Sequence, residues 1–284
     1  MNDSPASLSL AGKSALVTGG GAGIGRGIAT AFAQLGARVF VAEIDPARAA
    51  DVSAALTTVS PESWVSVTDV RSVPEVERLL VDIERRCGAL DILVNNVGDF
   101  LNVVKPFERT NEEEWDALYA VNLRHMFVVT RAAIPLLRRA ARGASIINVS
   151  TIEAFRGIPM TAVYAAFKAG VTGFTRSLAL ELGPHRIRVN AIAPETTETE
   201  QVKPSVFIAP QYQEHIRRWI PLGRFGTPAD AAGCAVLLAS ELSGWVTGTT
   251  LHLDGGALAA GGWYRTPDER WTNVPVISDS GLKF

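Results

Sequence analysis

The chain has 284 residues, 47% of them hydrophobic and 20% charged, with a formal net charge of −2, close to an average globular composition with enough apolar surface for a sizeable core. The near-neutral charge and the lack of any Lys/Arg run argue against a nucleic-acid partner, and no apolar run nears the roughly 18 residues of a membrane span. The opening residues MNDSPASLSLAGK have neither a basic start nor an apolar stretch, so no secretory signal is expected. Cys87 and Cys234 lie far apart without a CxxC pair, which reads as two reduced thiols of a cytoplasmic protein.

Residues 14–18 form a short apolar run consistent with a buried strand. A glycine cluster follows, then Ile24, Ile28, Ala31, Phe32 and Leu35 at helical spacing, closed by Gly36 before a second strand at 38–42. This is a βαβ unit, and the alternation repeats. Helices are expected at 46–56, 73–87, 112–139 (bent near Pro135), 162–182 and 229–240, with strands at 64–67, 91–94, 145–149, 187–192 and 249–253. That order predicts an α/β fold, a doubly wound parallel sheet covered on both faces, in one domain spanning 1–284. Residues 195–226 break the rhythm and are expected to form a substrate-loop insertion over the sheet's carboxyl edge. Within it, 211–219 reads as an amphipathic helix, either a lid with Tyr212, Ile216 and Trp219 toward the pocket or a surface-packed segment. Residues 257–284 form a C-terminal tail with Trp263, Tyr264 and Trp271, expected to cross a subunit boundary because exposed aromatics are enriched at interfaces, the alternative being packing on its own subunit.

The run Thr18-Gly19-Gly20-Gly21-Ala22-Gly23-Ile24-Gly25 sits where the first strand turns into the first helix. Residues without Cβ let the chain bend and let its backbone approach a pyrophosphate, while the helix amino terminus supplies free N–H groups and partial positive charge. Within a βαβ unit this is a dinucleotide-binding signature. Glu43 ends the second strand 18 residues beyond Gly25, where an acid accepts bonds from ribose hydroxyls and repels a 2′-phosphate. Ala22 places no positive charge in the turn. NAD is therefore expected rather than NADP, with Asp45 capping the next helix at Pro46. Tyr164-x-x-x-Lys168 puts a phenol and an ammonium one turn apart on a helix face. A phenol titrates near pH ~10, and a neighbouring cation is expected to lower it toward acid–base use.

With Asn95-Asn96-Val97-Gly98, Asn122, the Ser150-Thr151 pair and PLGRFGTPAD…GTTLHLDGG, these motifs resemble the short-chain dehydrogenase/reductase family over nearly the whole chain. The resemblance implies a Rossmann-type sheet of seven parallel strands in the order 3-2-1-4-5-6-7, usually in a homotetramer, acting on a small-molecule alcohol or ketone. It implies Tyr164 as proton donor or acceptor at the substrate oxygen, Lys168 as its modulator and ribose contact, and Asn122 as holder of a water in a proton relay. For the NAD cofactor it implies Gly19, Gly23, Ile24 and Gly25 at the pyrophosphate, and Glu43, Asp69 and Val70 at the adenosine. Asn96 and Gly98 are implied to pack on the adenosine side, with Pro194, Thr197 and Thr199 at the nicotinamide.

Three departures stand out. The polarising hydroxyl usually lies 13 residues before the tyrosine, which here is Thr151 rather than Ser150; adjacent strand residues face opposite sides, and Thr151 is the expected catalytic residue. The family's usual Pro-Gly after the sixth strand is Pro194-Glu195, and its NNAG is NNVG followed by Asp99. The four histidines have no metal-ligand spacing and read as packing or surface residues, so no metal is expected. Phe155, Met160, Phe207 and the tail aromatics suggest an apolar pocket wall, while Glu153, Glu195 and Asp99 suggest hydroxyl binding. The expected activity is NAD-linked interconversion of a secondary alcohol and a ketone, on a dihydrodiol, a steroid-like or terpenoid alcohol, or a 3-hydroxyacyl thioester. The alternative is a non-catalytic NAD-binding sensor or scaffold, which typically lacks the tyrosine or lysine.

Overall fold

Alternate residues of each central strand enter two different apolar layers, and this places the sheet at the middle of the computed structural model, which describes residues 7–203, 208 and 210–272. The strands are β1 Ser14–Thr18, β2 Arg38–Glu43, β3 Trp64–Val67, β4 Ile92–Asn95, β5 Ala144–Val149, β6 Ile187–Pro194 and β7 Thr250–Leu253. They pair in parallel in the order β3-β2-β1-β4-β5-β6-β7. One face carries Ala15, Val17, Val39, Val41, Ile92 and Val94 against α1 (Gly23–Gln34), α2 (Pro46–Val59) and α8 (Pro228–Ala239). The other carries Leu16, Phe40, Leu93 and Ile146 against α3 (Val73–Cys87), α5 (His125–Leu137) and α6 (Ala162–Leu182). Strands buried on both faces explain why their sequences are continuous apolar runs. Asp45 caps α2 as expected, accepting from the N–H groups of Ala47 and Arg48.

The long helix expected over 112–139 breaks elsewhere than at Pro135. It divides into α4 (Glu112–Tyr119), a π-helical stretch at Ala120–Arg124 and α5, with Pro135 inside α5. The cause is Asn122. Its Nδ2 donates to the Leu118 carbonyl four residues back at 3.0 Å, the acceptor a regular α-helix assigns to the Asn122 backbone N–H, and the ladder widens by a residue.

The chain leaves β6 at Glu195 and returns at Gly226, which bridges to Thr197. Residues 210–219 form a 3₁₀ turn and the short α7 (Ile216–Trp219). Ile216 and Trp219 pack with Ile220, Phe225 and Ile152 in a satellite cluster and do not line the main cleft. Packing thus replaces the lid orientation for these two; the Tyr212 side chain and Phe207 lie outside the described residues. The described tail, 257–272, makes a helical turn at Ala257–Ala260 and a small hairpin pairing Tyr264–Arg265 with Trp271–Thr272. The hairpin contacts α7 of its own chain, with Arg217 and Glu269 3.9 Å apart. Residues 273–284 lie outside the described residues.

Candidate functional site

A cleft of about 680 Å³ opens beyond the carboxyl ends of the strands, where the order reverses between β1 and β4. This is the topological switch point at which open α/β sheets bind ligands, and the volume suits a small-molecule site. Its wall holds every expected catalytic or cofactor-binding residue except Gly25 and Asn122, which are buried.

The glycine turn forms one end. Gly19 has a left-handed φ of 63°. From the end of β4, Asn96 donates through Nδ2 to the carbonyls of Thr18 and Gly19 at 3.0 and 3.1 Å. A Cβ on Gly25 would lie 2.3 Å from the Gly19 oxygen and 2.5 Å from Asn96 Nδ2, so only glycine lets helix and turn meet. The first turn of α1 has no side-chain cap, and Gly23 and Ile24 line the cleft. Unclaimed N–H groups at a helix start, with no Cβ in the way, fit the pyrophosphate of a dinucleotide.

Glu43 and Asp69-Val70 form the adenosine-sized end. Glu43 is buried and accepts from the N–H of Gly21 at 2.9 Å and of Asp45 at 3.1 Å. Its carboxylate therefore braces the glycine turn as well as facing the cleft. Asp69 is bridged to Arg71 by bonds of 2.8–3.1 Å, and that guanidinium holds its carboxyl below the usual range. Arg71 and Arg48 also line this end; sequence reasoning missed both, since Arg71 lies in a turn after β3 and Arg48 in the first turn of α2, neither within a motif.

At the other end stand Thr151, Tyr164, Lys168, Pro194, Thr197 and Thr199. The hydroxyls of residues 150 and 151 diverge: Ser150 Oγ donates to the Lys168 carbonyl at 3.0 Å inside the protein, and Thr151 Oγ1 to the Pro194 carbonyl at 3.3 Å. Lys168 is buried, with Nζ donating to the Val149 carbonyl at 3.2 Å and lying 5.8 Å from the Tyr164 ring centroid. Burial pulls its pKa down to about 8, against a weaker upward pull from Asp99. Burial raises the Tyr164 phenol above its ordinary value, and Glu153 and Asp99 push the same way. The shift runs opposite to the lowering expected from Lys168, and burial is its first cause.

Gly98 separates Lys168 from Asn122, since a Cβ there would fall 2.5 Å from Nζ and 3.2 Å from Asn122 Oδ1. Asn122 donates to the carbonyls of Asp99 and Leu118 and accepts from the Asp99 N–H. Both its amide hydrogens are spent, so its side chain can offer a relay only an Oδ1 lone pair, beside the backbone carbonyl. His125, three residues on, is fully buried; burial first, then the Lys168 charge, depress its pKa to about 3 and keep it neutral.

The expected apolar wall is different in kind. Phe155 turns its edge to His252 at 4.5 Å and Met160 lies off the cleft, while Phe100, Val121, Ile158 and Val202 line it. Sequence reasoning also missed Arg156, which bridges Glu153 and Glu195.

A family model described as enoyl-(acyl carrier protein) reductase matches residues 19–257. The chain is 35% identical to a 3-oxoacyl-[acyl-carrier-protein] reductase of Thermotoga maritima, covering 88% of this chain and 99% of that protein. It is 35% identical to a galactitol 2-dehydrogenase of Agrobacterium fabrum, over 88% of this chain and 98% of the relative. A crystal structure of 3-ketoacyl-(acyl-carrier-protein) reductase from Brucella melitensis complexed with NADH superposes with a TM-score of 0.77 at 33% identity, covering 88% of this chain and 99% of that one.

Proposed function

The chain belongs to the short-chain dehydrogenase/reductase family and is an oxidoreductase acting on CH–OH groups, and from that premise we propose that it is NAD(H)-linked, with Asn122, Thr151, Tyr164 and Lys168 as its working set. The observation that carries the cofactor assignment is Glu43, a buried carboxylate at the end of β2 that faces the cleft beside the glycine turn. A ribose diol offers it hydrogen-bond donors, and a 2′-phosphate offers only like charge. Arg48 at this end is half-exposed and has Asp45 4.0 Å away, so it does not reverse the balance. The bound nicotinamide supplies hydride acceptance or donation.

The protein's own residues handle the proton. In reduction, Tyr164 donates from its neutral phenol to the carbonyl oxygen as hydride reaches the carbon. Thr151 holds that oxygen by hydrogen bond, and Lys168, titrating at about 8, is poised near neutrality to resupply the proton. In oxidation the same steps reverse. The fully exposed Trp245 and the 82% exposed Leu180 are candidate subunit contacts in the proposed homotetramer. Among the described residues no helix is long and apolar enough to cross a membrane, which accords with a cytoplasmic enzyme.

The test is NADH fluorescence with a panel of secondary alcohols and ketones, for the wild type and Tyr164→Phe. Turnover by the wild type, lost by about 100-fold or more in the variant with NADH still bound, is expected. Near-normal turnover by Tyr164→Phe, or better use of NADPH than NADH by the wild type, overturns the assignment.

A further inference from the structure

The substrate half of the cleft is acidic by construction. Glu195, where β6 ends, and Glu153, in the 3₁₀ turn after β5, both line the cleft close to Thr151 and Tyr164. Their side chains are only 6% and 13% exposed. Arg156 lies between them, donating from Nη2 to Glu153 Oε1 at 2.8 Å and to Glu195 Oε2 at 2.6 Å, and from Nε to Glu153 Oε2 at 3.3 Å. The guanidinium is not part of the cleft wall. Its bonds fix the two acids, whose side chains line the cleft where a bound molecule would meet them.

Glu153, Glu195 and Asp99 against the Arg156 guanidinium and the Lys168 ammonium leave one net negative charge at this end of the cleft. Acceptor capacity remains as well. Glu195 Oε1 is occupied by the N–H and hydroxyl of Thr196, at 2.8 and 3.0 Å, while Glu195 Oε2 and both Glu153 oxygens accept from Arg156 alone in the bonds they make. An ionised carboxyl has about four lone-pair sites, so each of these three oxygens retains one. Such a surface recognises hydroxyl hydrogens and repels anions.

We propose that Glu195 and Glu153, braced by Arg156, form a hydroxyl-accepting shelf that selects substrates with at least one further hydroxyl beside the reacting carbon and turns away carboxylates at that position. The inference rests on the oxidoreductase reading and adds the substrate class to it. The competing role for the three residues is an ion-paired brace for the loops after β5 and β6, with no say in substrate choice.

Three matched ring alcohols separate these roles: cyclohexane-1,2-diol, cyclohexanol and 2-hydroxycyclohexanecarboxylate, oxidised with NAD by the wild type, Glu195→Gln and Glu153→Gln. The amides keep the shape and lose the charge, and ratios of kcat/KM cancel any common effect on folding or cofactor. The wild type is expected to prefer the diol over cyclohexanol by about 10- to 100-fold, the range of a hydrogen bond to a charged group, and to be slowest on the carboxylate. Glu195→Gln should cut the diol preference about 10-fold and relieve discrimination against the carboxylate, with Glu153→Gln acting in the same direction. Oxidation of cyclohexanol without a diol preference, or a preference unchanged in both variants, overturns the shelf and leaves the oxidoreductase reading standing. NADH binding with no oxidation of any ring overturns both.

Discussion

Replacing Lys168 with methionine is expected to stabilise the cofactor-free protein while abolishing turnover. The ammonium is 3% exposed, and burial moves its pKa from 10.5 to about 8. At about 1.4 kcal/mol per pH unit, holding the charge in the folded state costs about 3 kcal/mol. Methionine leaves the Val149 carbonyl without its Lys168 donor, which takes back about 1–2 kcal/mol, so the net gain at pH 7 is about 1–2 kcal/mol. The pH dependence has a definite sign. Between about 8 and 10.5 the unfolded chain still carries the proton that the folded protein has released, so the stability contributed by this site rises with pH across that window. Below it both states are charged and the full cost applies. Urea unfolding of both proteins, followed by tryptophan fluorescence at equal protein concentration, reads the difference at pH 7 and pH 10. The variant's advantage should be present at pH 7 and lost or reversed at pH 10. A variant less stable than wild type at pH 7, or a gap that does not change with pH, would refute the claim that the buried ammonium is the source of the cost.

Thr151→Val is expected to lower kcat/KM by about 100-fold or more and Ser150→Ala by less than about 10-fold, because the Ser150 hydroxyl is spent on the Lys168 carbonyl; the opposite ranking in steady-state kinetics would shift the polarising hydroxyl by one residue. Gly98→Ala places a Cβ 2.5 Å from Lys168 Nζ, and should weaken NADH binding in calorimetry and lower kcat, each by about 10-fold or more. Glu43→Gln keeps an acceptor for the Gly21 N–H but removes the charge that faces a 2′-phosphate, and the ratio of NADPH to NADH use should rise by about 10-fold or more; an unchanged ratio removes Glu43 from cofactor choice.

The sheet and the glycine turn were legible in the sequence because both are governed by short-range rules. A strand buried on two faces must be apolar throughout, and a turn in which Gly25 meets the Gly19 carbonyl at contact distance admits no side chain. The break at 120–124 was harder to read, although its signal was present. An asparagine inside an apolar helical pattern competes for backbone carbonyls, and Asn122 does so at Leu118, whereas Pro135 sits inside α5 without ending it.

What the sequence could not supply is which charges end up adjacent after burial. The Tyr164–Lys168 spacing puts an ammonium one helical turn from the phenol, and by spacing alone the phenol should be acidified. Folding removes water and adds Glu153 and Asp99 from other loops, and the phenol is raised instead. Arg156 has a local partner in Glu153, three residues before it, but its link to the cleft appears only when β6 brings Glu195 to within 2.6 Å. The family's usual residue after the β6 proline is a glycine, which has no side chain to engage an arginine there. The pairing of Glu195 with Arg156 therefore exists only because of this chain's own departure, and it lies in the substrate half of the cleft. The cofactor half keeps the glycine turn whose backbone a dinucleotide would approach. The two halves are thus under different physical constraints, and the residues that distinguish this enzyme from its relatives are expected where the constraint is set by the substrate.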